Sequence, residues 1–232
     1  MTAESGHNDD VLHFYFDIIS HNAWLAWAQL PALCAEFGLQ LRPVPVLFAG
    51  LLKAHGQRGP AEVLPKREWM LFNVLRKAAE HGIPISPPYS HPFNPLAALR
   101  VIAAAPAEHQ LALTERLFRA TWAESLPVHE PDCVRSEILK QGLDAESLMA
   151  AANTEAGKQR IRDNTEQALA DGVFGVPSMR VRGQLFFGFD DLHYLRRFLA
   201  GSDPLTIDAA GLALWNGIRP SAQRREASAP QP

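Results

Sequence analysis

The 232-residue chain has only two cysteines, Cys34 and Cys133, far apart in sequence. They make no C-x-x-C pair for dithiol exchange and no zinc-ligand spacing. Both are expected as reduced thiols, with Cys34 packed inside an apolar helical pattern. No apolar stretch approaches the roughly 20 residues that span a bilayer. Nine histidines are present, but no H-E-x-x-H or comparable spacing, so no metal is expected. The G-x-S-x-G elbow of serine hydrolases is absent. Neither sign of charge dominates: 22 Lys and Arg stand against 25 Asp and Glu, for a net charge of −3. That removes the electrostatic footprint of a nucleic-acid binder. Residues 1–10 are polar and acidic, without the basic and apolar segments of a secretory leader, so a cytoplasmic location is expected.

What is present reads as a globular α/β chain, 47% apolar and 20% charged. Residues 11–19 (VLHFYFDII) suit a buried strand. Residues 23–37 carry helical spacing with a kink or break at Pro31 and a stop at Gly38. Residues 39–48 (LQLRPVPVLF) read as a second strand. Pro43 and Pro45 lose their N–H groups on the same side, which suits a sheet edge. A right-handed crossover makes the two strands parallel. Residues 49–59 read as a loop. Pro65 opens a helix that ends near Gly82, with Trp69, Phe72, Leu75 and Ala79 on one side. Trp69, Phe72 and Trp122 are expected mainly in the core.

Residues 83–95 hold five prolines and must be extended or turned. Asn94 then reads as a cap with Pro95 at the first helical position. Helices follow over 96–105, 108–124, 131–141, 144–152 and 154–171. Residues 177–182 and 184–189 form a hairpin around Gly183, and Asp190 caps a last helix that stops at Gly201. The division is therefore discontinuous. Residues 11–55 and 172–202 make one α/β domain, and residues 56–171 make an all-helical insertion. Residues 1–10 and 221–232 are expected as flexible tails.

Three features could carry chemistry. The junction Asp17-Ile18-Ile19-Ser20-His21-Asn22 enters a helix, where free N–H groups and the dipole stabilise an anion. Ser20 is there either a plain N-cap or a donor to a bound thiolate. The stretch Gly172-Val173-Phe174-Gly175-Val176-Pro177-Ser178 specifies a sharp turn before a strand, with a Val176–Pro177 bond either cis or trans. The run PPYSHPFNP could be a ligand for another domain, and is better read as a wall of a substrate cleft.

In order and separation, these segments resemble the 2-hydroxychromene-2-carboxylate isomerases and the kappa-class glutathione transferases, in the DsbA-like branch of the thioredoxin superfamily. The match rests on residues 14–25 (FYFDIISHNAWL), 172–178 (GVFGVPS) and 183–190 (GQLFFGFD). Pro65-Lys66 through Trp69 and Phe93-Asn94-Pro95-Leu96 add to it, over residues 11–199 in all. The resemblance implies a thioredoxin-like β-α-β…β-β-α fold with a helical insertion, and glutathione as cofactor. Ser20 then holds the thiolate, and the Val176 backbone, before Pro177, pairs with the cysteinyl unit. Phe187, Gly188, Phe189 and Asp190 hold the γ-glutamyl end, with Asp190 facing its α-amino group. Lys66 lies near the glycine carboxylate. Lys53 and Asn94 are the candidate residues on the substrate side.

Departures sit beside the match. His21 stands where Pro follows the serine, Phe187 where Trp is usual, and no Asn-Arg pair occurs near Glu62-Val63. The implied activity is a glutathione-dependent isomerisation of an aromatic keto acid or its hemiketal in aromatic degradation. A kappa-like transferase and a non-catalytic thioredoxin-fold binding protein are the alternatives. A homodimer is expected from the resemblance, with no nucleic-acid or membrane partner.

Overall fold

The structure, a computed structural model, describes residues 10–222. Strand β1 (Val11–Phe16) pairs in parallel with β2 (Gln40–Pro45), with Phe14 opposite Pro43 and Phe16 opposite Pro45. Strand β3 (Ser178–Val181) runs antiparallel on the other side of β1, and β4 (Gln184–Phe187) runs antiparallel to β3. The sheet order is β2-β1-β3-β4. The edge position of β2 follows from its two prolines, which cannot donate to a further strand. Arg182 and Gly183 close the β3–β4 hairpin at φ 48° and 78°. Two positive φ values in a two-residue loop match the right-handed twist of the strands.

Helix α1 (His21–Trp27) and helix α2 (Leu30–Glu36) fill the crossover. The expected single helix over 23–37 is thus broken. Pro31 sits in the first turn of α2, where its missing N–H costs nothing. Helix α3 (Phe48–Ala54) occupies the stretch expected as a loop. Its start is satisfied by distant side chains: Thr165 Oγ1 takes the Leu47 N–H at 3.0 Å and Asp17 takes the Phe48 N–H at 3.0 Å. Such tertiary capping leaves no local signal.

The helical block comprises α4 (Leu64–His81), α5 (Leu96–Ala104), α6 (Ala107–Trp122), α7 (Pro131–Lys140), α8 (Ala145–Asn153) and α9 (Glu155–Ala170). Helix α10 (Leu192–Leu199) follows the hairpin, and α11 (Ala209–Asn216), which the sequence reading lacks, buries none of its residues. Asp191, rather than Asp190, stands at the start of α10, and its carboxylate accepts the Phe187 N–H at 2.9 Å. Pro95 holds the N-cap position of α5, while the Asn94 side chain accepts the Leu96 N–H at 3.1 Å. Apart from Asp10, Ser221 and Ala222, the expected tails lie outside the described residues.

Rings dominate the core around β1: Phe14, Phe16, Trp24, Trp27 and Phe118 are all buried. Phe16 and Phe118 lie 5.3 Å apart, in the tilted range that aromatic pairs prefer. Each buried indole N–H is spent. Trp24 donates to the Pro84 carbonyl at 2.9 Å and Trp27 to Glu115 at 2.7 Å. Trp122 is buried as expected. Trp69 and Phe72 are each 59% exposed, a correction to their expected core placement. The buried line of α4 runs through Val74 and Ala78 instead, so only part of the apolar surface of α4 meets the core. Among the described residues no helix is long and apolar enough to cross a membrane.

At the α8–α9 junction Gly157 comes close to the preceding helix. A Cβ there would lie 2.4 Å from the Ala151 carbonyl oxygen. Helix propensity alone favours Gly157→Ala by up to about 1 kcal/mol. The contact predicts the reverse, a loss of about 1–3 kcal/mol of the kind overpacking causes, read from urea unfolding midpoints.

Candidate active site

The register of β1 and β3 gathers the candidate residues. Tyr15 lies opposite Ser178, and Ser178 lies opposite Phe187. Just past these pairs β1 runs into the Ser20 turn, β3 begins after Val176–Pro177, and β4 runs out into Gly188–Asp190. Phe16, opposite Pro45, brings the end of β2 to the same edge. Three segments remote in sequence therefore meet at one end of the sheet.

Ser20 is the N-cap of α1, and its Oγ accepts the Ala23 N–H at 3.2 Å. The cap bond uses a lone pair and fixes the side chain. The hydroxyl proton stays available to a ligand. The cap and the donor roles therefore belong to one oxygen and do not compete. The turn before it is held at every step. Ser20 N donates to the Asp17 carbonyl at 3.0 Å, and Ile19 N to the Asp17 carboxylate at 3.1 Å. Trp122 Nε1 donates to the Ile18 carbonyl at 2.8 Å, and His91 Nε2 lies 3.2 Å from the Ile19 carbonyl. Ser20 is a candidate from the sequence; Trp122 and His91, which support its turn, come from the helical block and carry no local signal.

His21 is buried, in a T-shaped contact with Trp122 whose ring centres lie 5.8 Å apart. Burial first, then the nearby His91 and Lys77, push its pKa down to about 4. Burial also lowers that of His91. Both rings are neutral near pH 7.

The Val176–Pro177 bond is cis. The neighbouring carbonyls are internally used: Gly175 accepts Ser178 Oγ at 2.8 Å and Pro177 accepts Gly188 N at 2.9 Å. Among the described residues the Val176 backbone takes no hydrogen-bond partner. Gly175 is needed for contact: a Cβ there would lie 2.8 Å from the Phe187 ring. Phe187 is packed against Phe174, with ring centres 4.6 Å apart. Asp190 pairs with Lys77 of α4 at 2.8 Å, and the Lys77 amine also lies 5.6 Å from the Phe189 ring centre. The lysine side chain is 14% exposed and the aspartate 76%, so the pair presents its acidic partner to solvent. Lys77 was also missed. Its signal was spacing, since it lies eleven positions after Lys66, on the same helical face.

Lys66 is exposed in the first turn of α4. Lys53 is exposed in the last turn of α3, where a cation suits the helix dipole. Asn94 is exposed, and its side chain accepts the Leu96 N–H at the start of α5. No hydrogen bond or ion pair among the described residues brings Lys53 or Asn94 to Ser20. A cavity of about 420 Å³ lies at the other end of α1, lined by Trp24, Trp27, Gln29, His81, Glu115 and Arg119. Its Glu115 is already engaged by Trp27 and Arg119, and Ser20 does not line it. Among the described residues no group of three His, Cys, Asp or Glu is set to hold a metal. Cys34 is buried, Cys133 is half-buried, and both are free thiols.

Asp17 is fully buried, and burial raises its pKa to about 7 against the two N–H donors that lower it. The folded chain therefore binds this proton from about pH 4 to 7, where the unfolded chain has lost it. Stability from this group is present at low pH and lost as pH rises through that window, by up to about 4 kcal/mol. His21 works the other way, its depressed pKa adding stability as pH rises from about 4 toward its unfolded value. The two slopes oppose, so the wild-type curve hides both. Asp17→Asn isolates one: relative to wild type the variant should gain stability steadily between pH 4 and 8. Parallel urea-midpoint curves for the two proteins would contradict the assignment.

The DSBA-like thioredoxin domain model matches residues 11–200. The chain is 31% identical over 192 residues to the 2-hydroxychromene-2-carboxylate isomerase of Sphingobium xenophagum, covering 81% of this chain and 97% of that protein. It is 26% identical over 204 residues to human glutathione S-transferase kappa 1, covering 81% and 90%. A solved structure of 2-hydroxychromene-2-carboxylate isomerase superposes with a TM-score of 0.77 at 23% identity, over 82% of this chain and 95% of that one. With its sheet order, its cis proline and its Ser20 turn, the chain belongs to the DsbA-like thioredoxin family, in the group of the 2-hydroxychromene-2-carboxylate isomerases and kappa-class glutathione transferases.

Proposed function

We propose that the protein is a glutathione-dependent isomerase of the 2-hydroxychromene-2-carboxylate type, acting on an aromatic keto acid or its hemiketal in aromatic degradation. The observation that carries it is the meeting at one sheet end of the Ser20 hydroxyl, the unpartnered Val176 backbone and the Lys77–Asp190 pair. These residues fit glutathione group by group. The Ser20 O–H, aimed by its cap bond, donates to the sulfur. The Val176 N–H and C=O take the cysteinyl unit as a short strand pair. The γ-glutamyl head is a zwitterion and meets a pair of opposite charge order: Asp190 takes the ammonium and Lys77 the carboxylate. Lys66 takes the glycine carboxylate. Lys66 and Lys77 are about 16 Å apart along α4, and three extended residues span about 10–11 Å, so long lysine side chains reach both ends.

Bound glutathione supplies a thiolate that adds to an unsaturated keto acid and leaves again, so that rotation occurs while the double bond is lost. The chain's own task is to hold that sulfur ionised and to aim it. Ser20 stabilises the charge. His21 is buried and His91 half-buried, and burial keeps both rings neutral, so the charge on the sulfur is met on that side by the Ser20 hydroxyl. A kappa-like transferase would use the same residues, and consumption of glutathione separates the two readings. Lys53 and Asn94 stay the candidates for the substrate side.

Ser20→Ala should lower turnover about 10²–10³-fold by loss of one aimed donor, while stability falls by about 0.5–2 kcal/mol by loss of the cap. Ser20→Gly, nearly as good a cap, should be as inactive as Ala yet more stable. Wild-type turnover in both variants on 2-hydroxychromene-2-carboxylate would remove Ser20 from the mechanism.

Asp190→Asn should weaken glutathione binding by about tenfold to a hundredfold, the worth of a hydrogen bond to a charged group. Binding of cysteinylglycine, which lacks the γ-glutamyl head, should not change. Calorimetry with both peptides reads the difference. Equal losses for the two would move Asp190 away from that head.

A further inference from the structure

We infer that His91 is a positioning residue of the site: with Trp122 it pins the two carbonyls that precede Ser20. β1 ends at Phe16, and the chain then turns through Asp17, Ile18 and Ile19 outside the sheet ladder. The Ile18 and Ile19 carbonyls are each met by a ring N–H from the helical block: Trp122, the last residue of α6, at 2.8 Å, and His91, from the proline-rich segment, at 3.2 Å. The two rings brace each other with centres 5.7 Å apart, and His21 closes the corner against Trp122 with ring centres 5.8 Å apart. For Nε2 to donate to a carbonyl the ring must carry its proton there, which leaves Nδ1 unprotonated in the neutral ring. Burial favours that neutral form.

The consequence follows from where Ser20 sits. Its Oγ is aimed by a bond within α1, but α1 itself begins where this turn ends. Releasing the Ile19 carbonyl frees one peptide next to Ser20 and leaves the cap bond in place. The hydroxyl then remains present and loses its aim. A misplacement of about 1 Å can cost on the order of 10²-fold in rate. This also gives the HPFNP segment a use beyond the cleft wall and the substrate-side candidate Asn94. His91 touches no ligand in this account and is not assigned as a base.

The catalytic part of the inference rests on the glutathione reading above, and the structural part does not. Two measurements separate them. In the ligand-free chain, amide hydrogen exchange of residues 19–22 should speed up in His91→Ala at least tenfold, while the strand amides of β1 keep their wild-type rates. In turnover of 2-hydroxychromene-2-carboxylate at saturating glutathione, His91→Ala should lower kcat about 10–100-fold, with the dissociation constant for glutathione changed less than threefold. His91→Gln, whose amide reaches the position of Nε2, should recover most of the rate. His91→Asn, one carbon shorter, should not. Trp122→Phe, which keeps the ring and loses the N–H, should act on the same amides. Exchange unchanged in His91→Ala overturns the inference whatever the ligand. Failure of Gln to rescue a lost kcat overturns it too, since the ring would then act by its own chemistry. A wild-type chain that binds no glutathione, with faster exchange in His91→Ala, sinks the functional reading and leaves the turn assignment standing.

Discussion

The antiparallel register of β1 on β3 is the constraint on which the site depends. With Tyr15 opposite Ser178, the Ser20 turn and the cis Val176–Pro177 bond leave the sheet side by side. The β3–β4 hairpin then returns Phe187 to the same edge. A slip of one residue would turn the buried Phe14 and Phe16 rings to the other face, so the core that fixes the register also fixes the site.

The turn itself is polar and buried, which is costly unless every group is paired. Asp17 carries two backbone N–H groups on its carboxylate, and Trp122 and His91 take two carbonyls. The same burial raises the Asp17 pKa and lowers that of His21. One places a proton in the fold and the other keeps one out. Between about pH 4 and 7 both side chains are in their neutral forms. A hydrogen bond aimed at an anion is worth more in such a partly buried corner than in water.

Much of this was legible in the sequence. Pro43 and Pro45 told of an edge strand because a missing N–H is a local property with a global consequence. The helix start at Ser20, the Gly172–Ser178 turn and the Gly183 hairpin were legible from local turn and cap chemistry. Local reading failed where the determinant was distant. Helix α3 is capped by Thr165 and Asp17, which no window around residue 48 contains. Trp69 and Phe72 share a helical stripe with apolar neighbours, but a stripe does not say how far along α4 the core extends. Lys77, His91 and Trp122 come to the neighbourhood of α1 across long sequence gaps, and only the packing of α4, α6 and the proline-rich segment on α1 brings them there.

The central claim is that Ser20 stabilises a glutathione thiolate in this fold. It is tested most directly by titrating the ultraviolet absorbance of the thiolate in the binary complex of wild type and of Ser20→Ala. The account predicts that glutathione bound to the wild type ionises at least one pH unit below a free thiol, whose pKa is about 8.5. In Ser20→Ala at saturating peptide the value should move back toward that of the free thiol. Equal thiol pKa values in the two complexes, or no complex with the wild type, would contradict it.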